Sequence, residues 1–409
     1  MARVRIFNIF LRGSTLLCRF LFIFFLAKYV EPSVVGIYGL FTAAIGYSLY
    51  LVGLDFYTYT TREILKSKSD IWGRYLKSQF YLSSILYVLL FIVSLPFILN
   101  GVVEFSILYW FVPILFLEHV NQELFRLLIA LSKQTVASIC LFIRQGTWAL
   151  AAVGIMVLNE SARYIELVFS LWLIAGVIAA IFGAYVIYSL QFGGWVDRVD
   201  IGWIKTGIKT STFFLVATLA VRGVQTFDRY WLEALADLDV VGAYILFVGV
   251  AGTAMTFLDA GVFSFAYPKL INTNNQSNKI EFDRIIKQMS LLTVGFIAIF
   301  IGVSLVLLPY LLDWIGRDVY LKYTNLYIWV LLATIFNALS MIPHYALYAH
   351  RKDKAIVLSH CSSAFVFFAS TTIFIYWDKE LAVPLGVVVA FAFIFLFKTW
   401  FYIKQVKNS

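Results

Sequence analysis

Apolar runs of about 20 residues, separated by short polar, Pro or Gly breaks, recur along the whole chain. That is the length an α-helix needs to cross a hydrocarbon core about 30 Å thick. Twelve spans are predicted, at about 10–30, 35–59, 80–100, 105–130, 135–158, 164–190, 211–233, 240–267, 289–310, 324–350, 355–376 and 382–402. Arg3, Arg5 and Arg12 precede the first run, but no small-residue cleavage site follows it, so the run reads as a retained helix and not a signal peptide.

Lys and Arg in the connections favour the cytoplasmic side. One alternating set holds 21 of them: Arg3, Arg5, Arg12, Arg62, Lys66, Lys68, Arg74, Lys77, Lys133, Arg198, Lys205, Lys209, Lys269, Lys279, Arg284, Lys287, Arg351, Lys352, Lys354, Lys404 and Lys407. The other set holds only 4, Arg163, Arg317, Lys322 and Lys379. Both termini are therefore expected in the cytoplasm. The net charge of +9 is mostly this topology signal, and no nucleic-acid partner is expected.

Composition narrows the class. Of 409 residues 62% are hydrophobic and 13% charged, with a mean hydropathy of +0.87. Soluble domains carry about 25% charge, so this chain lacks the polar surface of a soluble enzyme. Cys18, Cys140 and Cys361 all lie in apolar stretches and give no disulfide framework. The fold class is an all-α polytopic membrane protein, and no connection is long enough for a soluble catalytic domain.

An internal repeat organises the spans. VVGIYGLF at 34–41 matches VVGAYILF at 240–247, 206 positions on, each following an acidic turn and opening the second helix of its half. SLPFIL at 94–99 faces LLPYLL at 307–312 in the third helix of each half. Six helices per half is even, so the repeat is parallel, as in two-lobed transporters with a cargo site between the lobes. The expected division is 1–195 for the N-terminal lobe, 196–210 for a cytoplasmic linker within the loop at 191–210 that carries Gly193-Gly194, and 211–409 for the C-terminal lobe.

Ionisable groups within spans are costly, about 2.5–3.5 kcal/mol each at mid-membrane on insertion scales, and mark wet, paired or functional positions. Arg12, Thr15 and Arg19 fall at i, i+3 and i+7 on the first helix, and Arg222, Gln225 and Arg229 repeat the spacing on the seventh, with Asp228 beside them. The fourth helix carries Glu118, His119, Asn121, Gln122, Glu123 and Arg126, and the fifth Arg144. Arg19, Arg144 and Arg222 are too deep to snorkel, whereas Arg12, Arg126 and Lys398 are near enough to a cytoplasmic end to do so. The competing reading for the deep arginines is an ion pair with Glu118, Glu123 or Asp228. Asp55 and Asp259 sit at similar depths in the two halves, as gate or proton-carrying groups or as helix-end caps. His119 and His344 are deep, while His350 and His360 border the basic connection at 351–354.

A cavity richer in Arg than in acid suits an anion, and guanidinium forks match phosphate oxygens. Ser, Thr, Asn and Gln, as in Asn337, Ser340, Ser359, Ser362 and Ser363, suit sugar hydroxyls.

LAKYVEPSVVGIYGLFTA at 26–43 and NQELFRLLIALSKQTVASICLFIRQGTWAL at 121–150 resemble polysaccharide flippases of the multidrug/oligosaccharidyl-lipid/polysaccharide (MOP) exporter superfamily, most of all the O-antigen (Wzx-type) branch. The resemblance implies two six-helix lobes and movement of undecaprenyl-pyrophosphate-linked oligosaccharide from the cytoplasmic to the periplasmic leaflet of a bacterial inner membrane. By position, Arg19, Arg126, Arg144 and Arg222, with Gln225, inherit cargo binding, and Asp55, Glu118, Glu123 and Asp259 are the candidates for gating or ion coupling. It implies no cofactor, coupling to a proton or sodium gradient, and other surface-polysaccharide assembly proteins as partners. The alternatives are a multidrug exporter of the same superfamily and a membrane-embedded polysaccharide enzyme, against which stands the absence of any nucleophile–base or metal-ligand spacing.

Overall fold

The apolar runs become helical, the second of them broken by a turn at 54–56, in the computed structural model, which describes residues 2–100 and 105–404. Arg3 and Arg5, as side chains, and Lys407 lie outside what is described, as do two side chains of the 94–99 segment. The long helices are α1 (Ala2–Tyr29), α2 (Pro32–Gly53), α4 (Trp72–Leu99), α5 (Phe105–Ala130), α8 (Ile165–Ser189), α9 (Ile201–Leu235), α10 (Leu238–Leu258), α12 (Lys279–Ile315), α14 (Thr324–Ala349), α15 (Asp353–Phe374) and α16 (Lys379–Tyr402). Shorter pieces fill the rest: α3 (Tyr57–Lys66), α6 (Gln134–Phe142), α7 (Trp148–Leu158), α11 (Ser264–Asn275) and α13 (Asp318–Lys322). Two π-helical segments, Ile143–Thr147 and Asp259–Phe263, join α6 to α7 and α10 to α11.

Among the described residues ten helical stretches are long and apolar enough to cross a membrane, or eleven if the two parts of α9 form one span. The twelfth expected span, α5, has the length but carries the polar run from Glu118 to Arg126. Large apolar side chains such as Ile9, Leu89, Ile181 and Leu291 are exposed, as lipid-facing residues must be. Helix ends follow local chemistry. Asp237 caps α10 by accepting from the Val240 N–H at 2.9 Å, Asn278 and Asp378 do the same for α12 and α16, and left-handed Gly316 (φ 72°) stops α12.

The chain divides into two compact units: residues 1–22 with 41–215, and residues 23–40 with 216–409. The expected segments were contiguous, whereas here the hairpin of 23–40 is counted with the second unit. The reason is packing at the repeat. A Cβ on Gly36 would lie 2.4 Å from the Leu238 carbonyl oxygen, one on Gly242 would lie 2.0 Å from the Pro32 carbonyl oxygen, and one on Gly39 would strike Ile245. Under the 206-residue offset Pro32 corresponds to Leu238, Gly36 to Gly242 and Gly39 to Ile245. The repeated segments thus meet each other reciprocally, as two copies do about a local two-fold axis, and small residues allow the close backbone approach. Phe25 against Trp314, and Arg317 to Glu31 at 3.0 Å, hold the hairpin further within this unit.

In the first unit the segment at 191–200 is docked and not loose. Gly193 exchanges backbone hydrogen bonds with Ser69 and Gly73, the Lys77 ammonium donates to the Trp195 and Asp197 carbonyls, and Arg74 pairs with Asp200. Gly194 is left-handed at φ 88°, with Ile71 backbone atoms 2.9 Å from where a Cβ would be.

Candidate functional site

In the first unit the charged residues of α1, α5 and the 143–147 π segment form two layers. The deeper layer centres on Glu118. Its Oε2 lies 3.2 Å from Arg144 Nη2, and its Oε1 accepts from Trp172 Nε1 at 2.8 Å. Glu118 and Arg144 are 6% and 7% exposed, so the pair is shut away from water. Trp172 stacks on Trp148, with centroids 5.4 Å apart and planes 12° apart, which fixes the indole that orients Glu118. The second layer joins Glu123 to Arg126 at 2.7 Å. Gln79 Nε2 donates to the other Glu123 oxygen at 2.6 Å, and the Arg126 guanidinium lies 3.5 Å from the centre of the Tyr57 ring.

Asp55 is near this layer. It follows the end of α2 in a left-handed turn with Leu54, both at φ 49°, and is within electrostatic reach of Tyr57. Asn121 Nδ2 donates to the Leu117 and Gly176 carbonyls, tying α5 to α8, and His119 meets the Tyr87 hydroxyl at 3.3 Å.

The α1 stripe stands differently. Arg12 Nε donates to Ser138 Oγ at 3.3 Å and Arg19 Nη1 to Gln145 Oε1 at 3.4 Å. Both arginines are exposed, both donate to neutral oxygens, and neither forms an ion pair with a carboxylate among the described residues. The π segment sets the placement. Within it consecutive side chains take different partners, Arg144 the Glu118 carboxylate and Gln145 the Arg19 guanidinium. Gly146 accommodates the Phe142 ring, since a Cβ there would lie 2.9 Å from it, and it faces Thr15 of α1 at ordinary contact distance.

In the second unit Arg222 Nη1 donates to Gln225 Oε1 at 3.1 Å on the exposed side of α9, within electrostatic reach of Asp259. Asp259 opens the other π segment, so each π segment carries a charge at its start or second position and a Gly two residues after that charge, Gly146 and Gly261. Asp228 is buried. It accepts from the Tyr244 hydroxyl at 2.7 Å and from the Arg229 backbone N–H at 2.8 Å, while Arg229 Nη1 reaches the Gly39 carbonyl at 3.4 Å.

The structure therefore brings together Arg144 with Glu118, Arg126 with Glu123, and Arg222 with Gln225. Sequence reasoning did not single out Gln79, Tyr57, Trp172, Gln145 and Tyr244, whose roles come from contacts between distant segments. Among the described residues no three His, Cys, Asp or Glu side chains gather as a metal-holding group.

Comparison with solved structures identifies the architecture. An inward-facing multidrug resistance MATE family transporter of the MOP superfamily superposes with a TM-score of 0.79 over 96% of each chain, at 11% sequence identity. The fold is that of the MOP-superfamily transporters. A Vibrio cholerae MATE transporter matches with a TM-score of 0.62 at 11% identity, over 100% of this chain and 99% of its own. A MOP superfamily transporter from Pyrococcus furiosus, whose binding pocket of reverse polarity suggests a different function, matches with a TM-score of 0.60 at 11% identity, over 100% of this chain and 96% of its own. No protein-family model and no curated protein matches the sequence.

Proposed function

We propose that this chain is a flippase that carries undecaprenyl-pyrophosphate-linked oligosaccharide from the cytoplasmic to the periplasmic leaflet of a bacterial inner membrane, with both termini cytoplasmic. The observation that carries the reading is the state of the α1 stripe. Arg126 and Arg144 have carboxylate partners, but Arg12 and Arg19 donate only to neutral oxygens. Two guanidiniums on one helix face without a compensating acid, of which Arg19 is too deep to snorkel, favour an anionic guest with oxygens to receive them. A pyrophosphate supplies those oxygens.

In this reading Arg19 of the first unit contacts the pyrophosphate or the first sugar, and Arg222 and Gln225 are the cargo-binding candidates of the second unit. The Glu118–Arg144 and Glu123–Arg126 pairs are polar walls whose arginines become available if the acids move or take a proton. Asp55 and Asp259, each just after the second helix of its half, are gating groups. No cofactor takes part, a proton or sodium gradient is the energy source, and the enzymes of surface-polysaccharide assembly are the functional neighbours. The Pyrococcus furiosus structure supports the reading in one respect: within this fold, pocket polarity varies between proteins.

The test is the sidedness of the lipid-linked glycan. In membranes from cells lacking the chain, a lectin confined to the periplasmic side should find no undecaprenyl-linked glycan, and expression of the chain should restore the signal. Unchanged sidedness would remove the reading. A fall in susceptibility to cationic drugs on overexpression would put a multidrug exporter in its place.

A further inference from the structure

Helices α14, α15 and α16 pack together at the core of the second unit, and α16 runs along both of the others. Lys398, near the end of α16, is 1% exposed and turned into this group, so it does not snorkel to the interface. Its Nζ lies 3.2 Å from His344 Nδ1 on α14. The His344 ring in turn stacks on His360 of α15, with centroids 6.0 Å apart and planes 6° apart. Three nitrogen bases from three helices thus form a short chain that runs from a fully buried amine to two half-buried imidazoles.

No carboxylate forms an ion pair with Lys398 among the described residues. The other polar groups around the cluster are few. On α14, Tyr345 follows His344 and is within electrostatic reach of Asp259, and His350 turns away to the Ala346 carbonyl and the Phe282 ring. On α15, Asp353 and Lys354 stand nearly two turns before His360, and on α9 the Ala217 backbone faces the His360 ring. On α16, Tyr402 is one turn beyond Lys398 and within reach of Asp283 from α12.

A buried charge without a counter-charge is costly, and two stacked imidazolium rings repel one another. Three bases so placed cannot all be protonated at once. The Lys398–His344 hydrogen bond, however, survives gain or loss of a proton, because an ammonium donates to the imidazole nitrogen and a neutral amine can donate or accept. We infer that Lys398, His344 and His360 form a carboxylate-free proton-binding site within the second unit. Hydronium gives one proton to the cluster and leaves as water, and release of that proton to a water, which leaves as hydronium, reverses the step. A cationic cluster repels sodium, so the bound species is the proton and not a metal cation. The inference rests on this geometry alone and holds whichever cargo the transporter fold carries.

The full-length chain in lipid nanodiscs, with isotope-labelled imidazole nitrogens, tests it directly. Its four histidines give a spectrum that single substitutions can assign. The His344 and His360 signals should move together through one pH transition. Lys398→Met should displace that transition by about one pH unit or more, the scale of interacting sites, whereas exchange of potassium for sodium should leave it in place. Independent titration of the two imidazoles, no transition, or a transition that follows sodium would overturn the site. If Lys398→Met fails to insert, the wild-type spectrum and His360→Gln still decide, since loss of the stacked partner should displace the His344 signal.

Discussion

Replacing Glu118 with Gln tests the most buried polar contact of the first unit. The substitution keeps an oxygen that can accept from Trp172 Nε1, now at 2.8 Å, but leaves Arg144, 7% exposed, without its carboxylate. Removing one member of a buried ion pair typically costs about 3–5 kcal/mol, while replacing both members by apolar groups of similar volume is often nearly neutral. Polar contacts between membrane helices that carry no net charge couple by only about 0.6 kcal/mol on average. A double-mutant cycle separates the two cases. Glu118→Gln and Arg144→Met should each destabilise strongly, and the double variant should recover most of the loss, giving a coupling of about 2 kcal/mol or more. The assay is reversible unfolding in mixed micelles, followed by the fluorescence of Trp148 and Trp172, which stack beside the pair. Additivity within about 0.5 kcal/mol would refute the claim that this pair is a shielded charge contact. The cycle also bears on function. If Arg144 holds cargo, the double variant is folded and inactive, and if the pair only seals the wall, it exports normally.

Arg19→Glu should lower glycan export at least about tenfold with normal insertion, because one charge-assisted hydrogen bond is worth about 1.5–3 kcal/mol; export measured by the one-sided lectin decides this. Gly36→Ala and Gly242→Ala should each cost about 1–3 kcal/mol, since both Cβ atoms would fall within 2.4 Å of a carbonyl oxygen. The double Ala variant should cost less than the sum, because either change separates the same helix pair, and additive losses in thermal unfolding would deny the reciprocal packing. Gly194→Ala should destabilise the first unit by about 1–2 kcal/mol, as φ 88° disfavours any Cβ. Its readout is protease cleavage at the 191–200 segment, and unchanged protection would show that this docking is not needed.

The fold was legible because its causes are local. Twenty apolar residues make a span wherever they occur, so the predicted boundaries of α8 and α14 fall within a residue or two of those observed. The repeat at 34–41 and 240–247 was legible as a pattern, but its meaning was not. That Gly36 packs on the segment containing Gly242 depends on where two helices 206 residues apart cross, and periodicity carries no such information. Charge shows the same division. An Arg in an apolar run is visible as an anomaly, but its partner is not, and the partner decides what the charge does. Arg144 and Arg19 looked alike as deep arginines; one is shielded by Glu118 and Trp172, the other donates only to Gln145. The π segments widen this gap, because a single inserted residue shifts the register of every position after it in a way that regular helical spacing does not anticipate. Lys398 is the sharpest case. Its position near a helix end fits a snorkelling side chain, whereas it is buried against His344, which stacks on His360, both from other helices. Helix existence follows from composition, whereas the state of each buried charge follows from contacts between spans, and in this chain those contacts separate the arginines that donate to neutral oxygens from those paired with carboxylates.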